Sequence, residues 1–78
     1  MDIPDELINL ERTAEQERAR MAGLVGEEYA AQWQAWLAAS TAVQAEITAH
    51  AEATEQNRFQ VEAAVKKAAR HTEQDPAE

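Results

Sequence analysis

Cysteine is absent from this 78-residue chain, so disulfides and thiolate metal sites are excluded. Glycine and proline occur twice each, which leaves no glycine-rich phosphate loop and few places for a helix to stop. Serine occurs once, at Ser40 inside an apolar stretch, and no nucleophile stands beside a base in a recognisable pattern. β-Branched residues never form the alternating runs that strands need. No apolar run approaches the length of a membrane span, and the N-terminal MDIPDEL carries acids where a signal peptide would carry lysine or arginine. These absences predict a soluble, cytoplasmic, all-α protein that is not an enzyme. They also predict no cofactor, no metal, no membrane contact and no small-molecule substrate.

Basic residues are also scarce, and they are unevenly placed. Residues 1–57 hold eleven acids and three bases; residues 58–71 hold four bases and one acid; residues 72–78 hold three acids, giving −8 in total. Such a balance repels nucleic acid and anionic lipid over most of the surface and favours basic protein surfaces, with salt screening the effect. Large apolar side chains are few. Alanine accounts for 18 of the 35 hydrophobic residues, which leaves 17 larger ones for a domain near the lower size limit for a single core. A monomer built on so little is marginal, and self-association or a partner would stabilise it. Alanine enrichment is also what codon bias produces in a high-GC bacterial genome.

What the chain does have is helix-forming residues in helical register. Pro4, Asp5 and Glu6 suit a first turn, and Leu7, Leu10, Ala14, Met21 and Leu24 follow at three- and four-residue spacings, with Glu17 interrupting the seam. Gly23 is a natural C-terminal cap with Leu24 folding back over the last turn, so the first helix is predicted at about 4–22. Gly26 as cap and the acids Glu27 and Glu28 start a second helix at about 27–53. Along it Tyr29, Trp33, Trp36, Leu37, Ser40, Val43, Ile47 and His50 trace one stripe, in heptad spacing from Trp33 onward.

That register runs on through Val61, Ala64 and Ala68, but His50, Thr54 and Asn57 are polar entries on it, and Asn57 with Gln60 resembles a capping box. Phe59 lies off the seam of a continuous helix and would face water there. A break near Thr54–Asn57, as a turn or a kink, is therefore predicted, with a third helix at about 58–71 and a disordered acidic tail at 73–78. The architecture expected is a small antiparallel helical hairpin or three-helix bundle with a long central helix and coiled-coil-like packing.

Three groups of residues are candidates for function. Tyr29, Trp33, Trp36 and Leu37 share a face; core packing against the first helix is their first reading, and an interface with a second subunit their second. With Val43, Ile47 and His50 they form the expected interaction seam. His50 has Glu46 and Glu52 nearby, but one imidazole and two carboxylates are a poor metal set, and a seam histidine that sets register fits better. Arg58, Lys66, Lys67, Arg70 and His71 form a basic patch at the dipole-favoured end of the third helix, and the acids around it favour an electrostatic latch over phosphate binding.

Length and helical start are similar to the WxG-type secreted helical hairpins, which place Trp-x-Gly in the turn. Here the turn reads GLVGEE and both tryptophans lie inside a helix, so no residue role carries across. The function expected is a non-catalytic interaction or scaffold module that works through its helical seam. Its expected partner is a second copy, as a homodimer, or another helical protein. A small acidic regulator of a basic partner, antitoxin-like or DNA-mimicking, is the alternative, and a nucleic-acid binder using the third helix is the next.

Overall fold

Pro4 fixes the start of the first helix. Its extended backbone (φ −60°, ψ 145°) precedes α1 (Asp5–Ala19), and its carbonyl accepts from the amides of Leu7 and Ile8 at 3.1 and 3.3 Å. No side chain caps the helix, and Asp5 and Glu6 stand in the first turn, where the dipole favours negative charge. The computed structural model describes residues 2–74, with side chains through Arg70. α1 ends at Ala19, three residues before the expected Ala22, because the chain tightens there. The amides of Met21 and Ala22 bond three residues back, to Arg18 and Ala19, in place of the four-residue helical bond. Gly23, at φ 83°, then reverses the chain, and the Leu24 amide returns to the Met21 carbonyl at 3.1 Å.

α2 (Gly26–Thr54) is the longest element, 29 residues. Val25, not Gly26, occupies the cap position with extended backbone, and Gly26 takes the left-handed conformation (φ 63°) that begins the helix. The break predicted near Thr54–Asn57 is a turn. Glu55 adopts the left-handed conformation (φ 55°, ψ 40°), its amide bonds to Glu52, and the Gln56 amide reaches the Ala51 carbonyl at 2.9 Å, the paired bonds of a Schellman ending. Asn57 then caps α3 (Arg58–Gln74), its Oδ1 accepting from the amides of Phe59 and Gln60 at 2.9 and 3.1 Å. Phe59 gains no shelter from the break and remains 73% exposed, flanked by the Arg58 guanidinium at 5.9 Å. α3 runs three residues beyond the expected His71, so Glu73 and Gln74 belong to it; the remainder of the predicted tail, 75–78, lies outside the described residues.

The three helices all touch one another as an up-down-up bundle. Gln32 of α2 meets Glu17 of α1, while Ala49 and His50 of α2 share a groove with Leu7, so these two helices run antiparallel. Arg58 meets Thr48, and Glu62 meets Gln44, so α3 returns antiparallel along the second half of α2. Leu7, Ala14, Val43, Ile47, Ala51, Val61, Val65 and Ala69 form the buried core. In α3 the buried face recurs every four residues, at 61, 65 and 69, and not at the 61, 64 and 68 of an uninterrupted heptad. The turn has rotated the helix onto a new stripe.

Two substitutions test the turn. Glu55→Gly should stabilise the fold by about 0.5–1 kcal/mol, since a left-handed non-glycine residue costs roughly 1–2 kcal/mol and glycine's extra chain entropy returns part of that. Asn57→Ala should cost about 1 kcal/mol through the lost cap. Urea titration of both variants checks this, and a destabilised Glu55→Gly chain would contradict the assigned turn.

Candidate functional site: the aromatic half of the long helix

The stripe expected to be continuous is divided in two. Val43 and Ile47 are buried at 1% and 0% exposure, whereas Tyr29, Trp33 and Leu37 stay 45%, 38% and 39% exposed, with Val25 also open to solvent. The aromatic pair is itself divided between the bundle and the surface. Trp36 and Ser40 are half-buried, while Trp33, one turn earlier, keeps 38% of its surface open to solvent. The two indoles lie 6.3 Å apart and tilted by 55°, within the range of favourable aromatic pairs.

The division follows from which sides of α2 the other two helices cover. Arg58 begins beside Thr48 and Gln44, Lys66 lies opposite Glu11, and Arg70, the last described side chain, lines the same small cavity as Trp36. In the same register Gln74, the end of α3, comes level with Gln32, so Trp33 and Leu37 lie alongside α3 on a side of α2 that it leaves partly open. On the other side α1 closes against Gln32, whose Nε2 donates to both the carbonyl and the Oε1 of Glu17 at 2.7 Å. Tyr29, Trp33 and Leu37 recur every four residues along one side of α2, so they form a continuous apolar strip.

The basic patch does not act as one surface. The Arg58 guanidinium spans α2 and α3: Nε donates to Thr48 Oγ1 at 2.9 Å, one terminal nitrogen to Gln44 Oε1, and the other pairs with Glu62 at 3.3 Å. Lys66 reaches across to Glu11 Oε2 at 3.2 Å. Lys67 and Arg70 remain exposed, and the side chain of His71 lies outside the described residues. His50 is half-buried on the opposite groove, with no hydrogen-bond partner for its buried Nε2 among the described residues. Among those residues no three His, Asp or Glu side chains are grouped closely enough to hold a metal ion.

Sequence reasoning overlooked the acidic pair. Glu11, not Glu17, interrupts the core face of α1, and it is 3% exposed. Its position between Leu7 and Ala14 at helical spacing was the available signal. Its Oε1 is buried without a hydrogen bond, and the neighbouring Glu15 carboxyl, when protonated, supplies one. Burial, then the hydrogen bond to Glu11 and the charge of Glu11, raise the Glu15 pKa, while Arg70 and Lys66 pull it down.

Comparison with protein-family models, with curated proteins and with solved structures finds no match. The site is therefore interpreted from its own geometry.

The Glu15 shift has a definite sign. A carboxyl whose folded pKa exceeds its unfolded value binds its proton more firmly in the folded state, so its contribution favours folding in acid and is lost as pH rises through the folded pKa. Stability should rise as pH falls from neutral toward the ordinary glutamate range. Glu15→Gln should raise the neutral-pH melting temperature and flatten that dependence. An unchanged slope in the variant would show that Glu15 is not the group responsible.

Proposed function

We propose that this chain is a non-catalytic protein-interaction module whose working surface is the Tyr29–Trp33–Leu37 strip on the first half of α2. The observation that carries the reading is the exposure of all three side chains in a chain that has only 17 large hydrophobic residues in total. Aromatic anchors on a rigid helix are the usual energetic centres of helix-mediated association. A sequence that places Tyr29 and Trp33 there, and packs its core with valine, isoleucine and alanine, has left two of its four aromatic side chains largely outside the core. A helical protein is the class of partner such a strip accommodates.

Two further observations support the assignment. No helix is long and apolar enough to cross a membrane among the described residues, so the strip is not part of a span. Arg58 and Lys66 are engaged within the fold, which leaves the nucleic-acid alternative with little more than Lys67 and Arg70. The charge of −8 suits the acidic-regulator alternative, and salt separates the two: association through an apolar strip persists at high salt, whereas capture of a basic partner does not. A cytoplasmic setting fits a cysteine-free chain with an acidic N-terminus.

If the strip serves binding and not folding, the two halves of α2 should differ sharply in their tolerance of mutation. Leu37→Glu should change folding stability by less than about 1 kcal/mol, in keeping with a partly exposed site. Ile47→Ala, fully buried, should cost about 2–4 kcal/mol. Trp33 in a Trp36→Phe background should be readily quenched by acrylamide in dilute solution. Comparable losses at Leu37 and Ile47, or an indole shielded in the dilute monomer, would refute a binding role for this face.

A further inference from the structure

We infer that the occupant of the strip is a second copy of this chain, docked with its α2 antiparallel to the first and crossing it near Trp33. The inference rests on the interaction reading above and adds the identity and orientation of the partner.

Charge selects the partner. Two copies of a chain carrying −8 repel each other over most of their surfaces, and like-charge repulsion is least where charge is missing. Residues 29–45, YAAQWQAWLAASTAVQA, contain no charged side chain, the longest such run in the sequence. The exposed strip lies inside it. A basic protein partner would be recognised through the acids elsewhere on the surface, and nothing in this neutral run would favour it. The segment absent from the description, 75–78, reads DPAE and offers no apolar side chain larger than proline or alanine to cover tryptophan and leucine.

Spacing selects the orientation. A two-fold contact requires a patch complementary to itself, residue i meeting j while j meets i. Tyr29 and Leu37 lie four residues to either side of Trp33. An axis through Trp33 sets the two indoles against each other and places Tyr29 of each chain beside Leu37 of the other. In a parallel pair each residue would meet itself, and the aligned dipoles and the paired acids Glu27 and Glu28 would lie side by side. Antiparallel docking instead sets Glu28 near Ala38 of the second copy. Ala30, exposed next to the strip, lets the backbones approach to the roughly 8–10 Å of packed helices. The patch is small, so the dimer belongs to the weak, concentration-dependent class.

Because the chain has no cysteine, one residue can be tagged at a time. Tyr29→Cys and Leu37→Cys chains, each retaining Trp33, are oxidised separately and as an equimolar mixture, and the unmodified chain and Leu37→Glu are sedimented over a concentration series. The expected results are a monomer–dimer equilibrium that Leu37→Glu abolishes and that high salt leaves intact or strengthens, and several-fold more covalent dimer in the mixture than in either variant alone. Efficient self-linking of each variant alone would overturn the antiparallel arrangement, and a dimer indifferent to Leu37→Glu would overturn the surface. A chain that stays monomeric throughout, with Trp33 still quenchable, overturns the homodimer and leaves a different helical partner for the strip. A monomer with Trp33 shielded overturns both readings.

Discussion

Everything in this molecule depends on a mismatch between helix length and the supply of large side chains. The four fully buried larger residues, Val43, Ile47, Val61 and Val65, sit where α3 folds back over the second half of α2, and Leu7 closes them from α1. All four are β-branched, with one strongly preferred rotamer in a helix, so they fill their space with little loss of side-chain freedom. Alanine supplies the remaining buried apolar positions at 14, 51 and 69, allowing the helices to approach closely while burying little area. A core of this kind can be only as long as the region where three helices overlap. In the first half of α2 the aromatic strip lies on a side that the other two helices leave partly open.

Polar groups fix the register of the helices around that small core. Arg58 ties the start of α3 to Thr48 and Gln44, so the return angle of α3 is set within its first turn. Lys66 joins α3 to Glu11 across 55 residues of sequence. A buried carboxylate paired with a half-exposed lysine contributes little net stability, because desolvation offsets most of the attraction. Its consequence lies elsewhere: it ties α3 to α1, and a slip that set Glu62 in place of Lys66 would put two carboxylates together at Glu11. Glu15 adds a second negative charge beside the first, and that crowding is relieved by protonation and by Arg70.

Much of this was legible in the residues. Three helices, the acidic first turns, Gly23 and the stop before Asn57 could be read because each is a local signal carried by one or two residues. Gly26 was assigned the cap, and the structure gives that place to Val25, since only glycine adopts the left-handed backbone at the next position without strain. Phe59 was read correctly as an argument for a break but for a reason that fails, because it is exposed on either side of one. The seam of α2 was visible as a single stripe, and its division was not. Periodicity reports which residues share a face; which part of that face a neighbouring helix covers depends on the turn at Glu55 and on Arg58, Lys66 and Glu11 meeting across the bundle. Glu11 was hidden for the same reason, since its partner lies in another helix.

The central claim is that α2 has two halves with different tasks, one held within the fold and one awaiting a second molecule. Amide hydrogen exchange resolved along α2, measured from dilute to concentrated protein, tests it most directly. The account predicts strong, concentration-independent protection at residues 43–51, and protection at 29–40 that is weaker in dilute solution and grows as the chains associate. Equal protection in both halves at every concentration would contradict it.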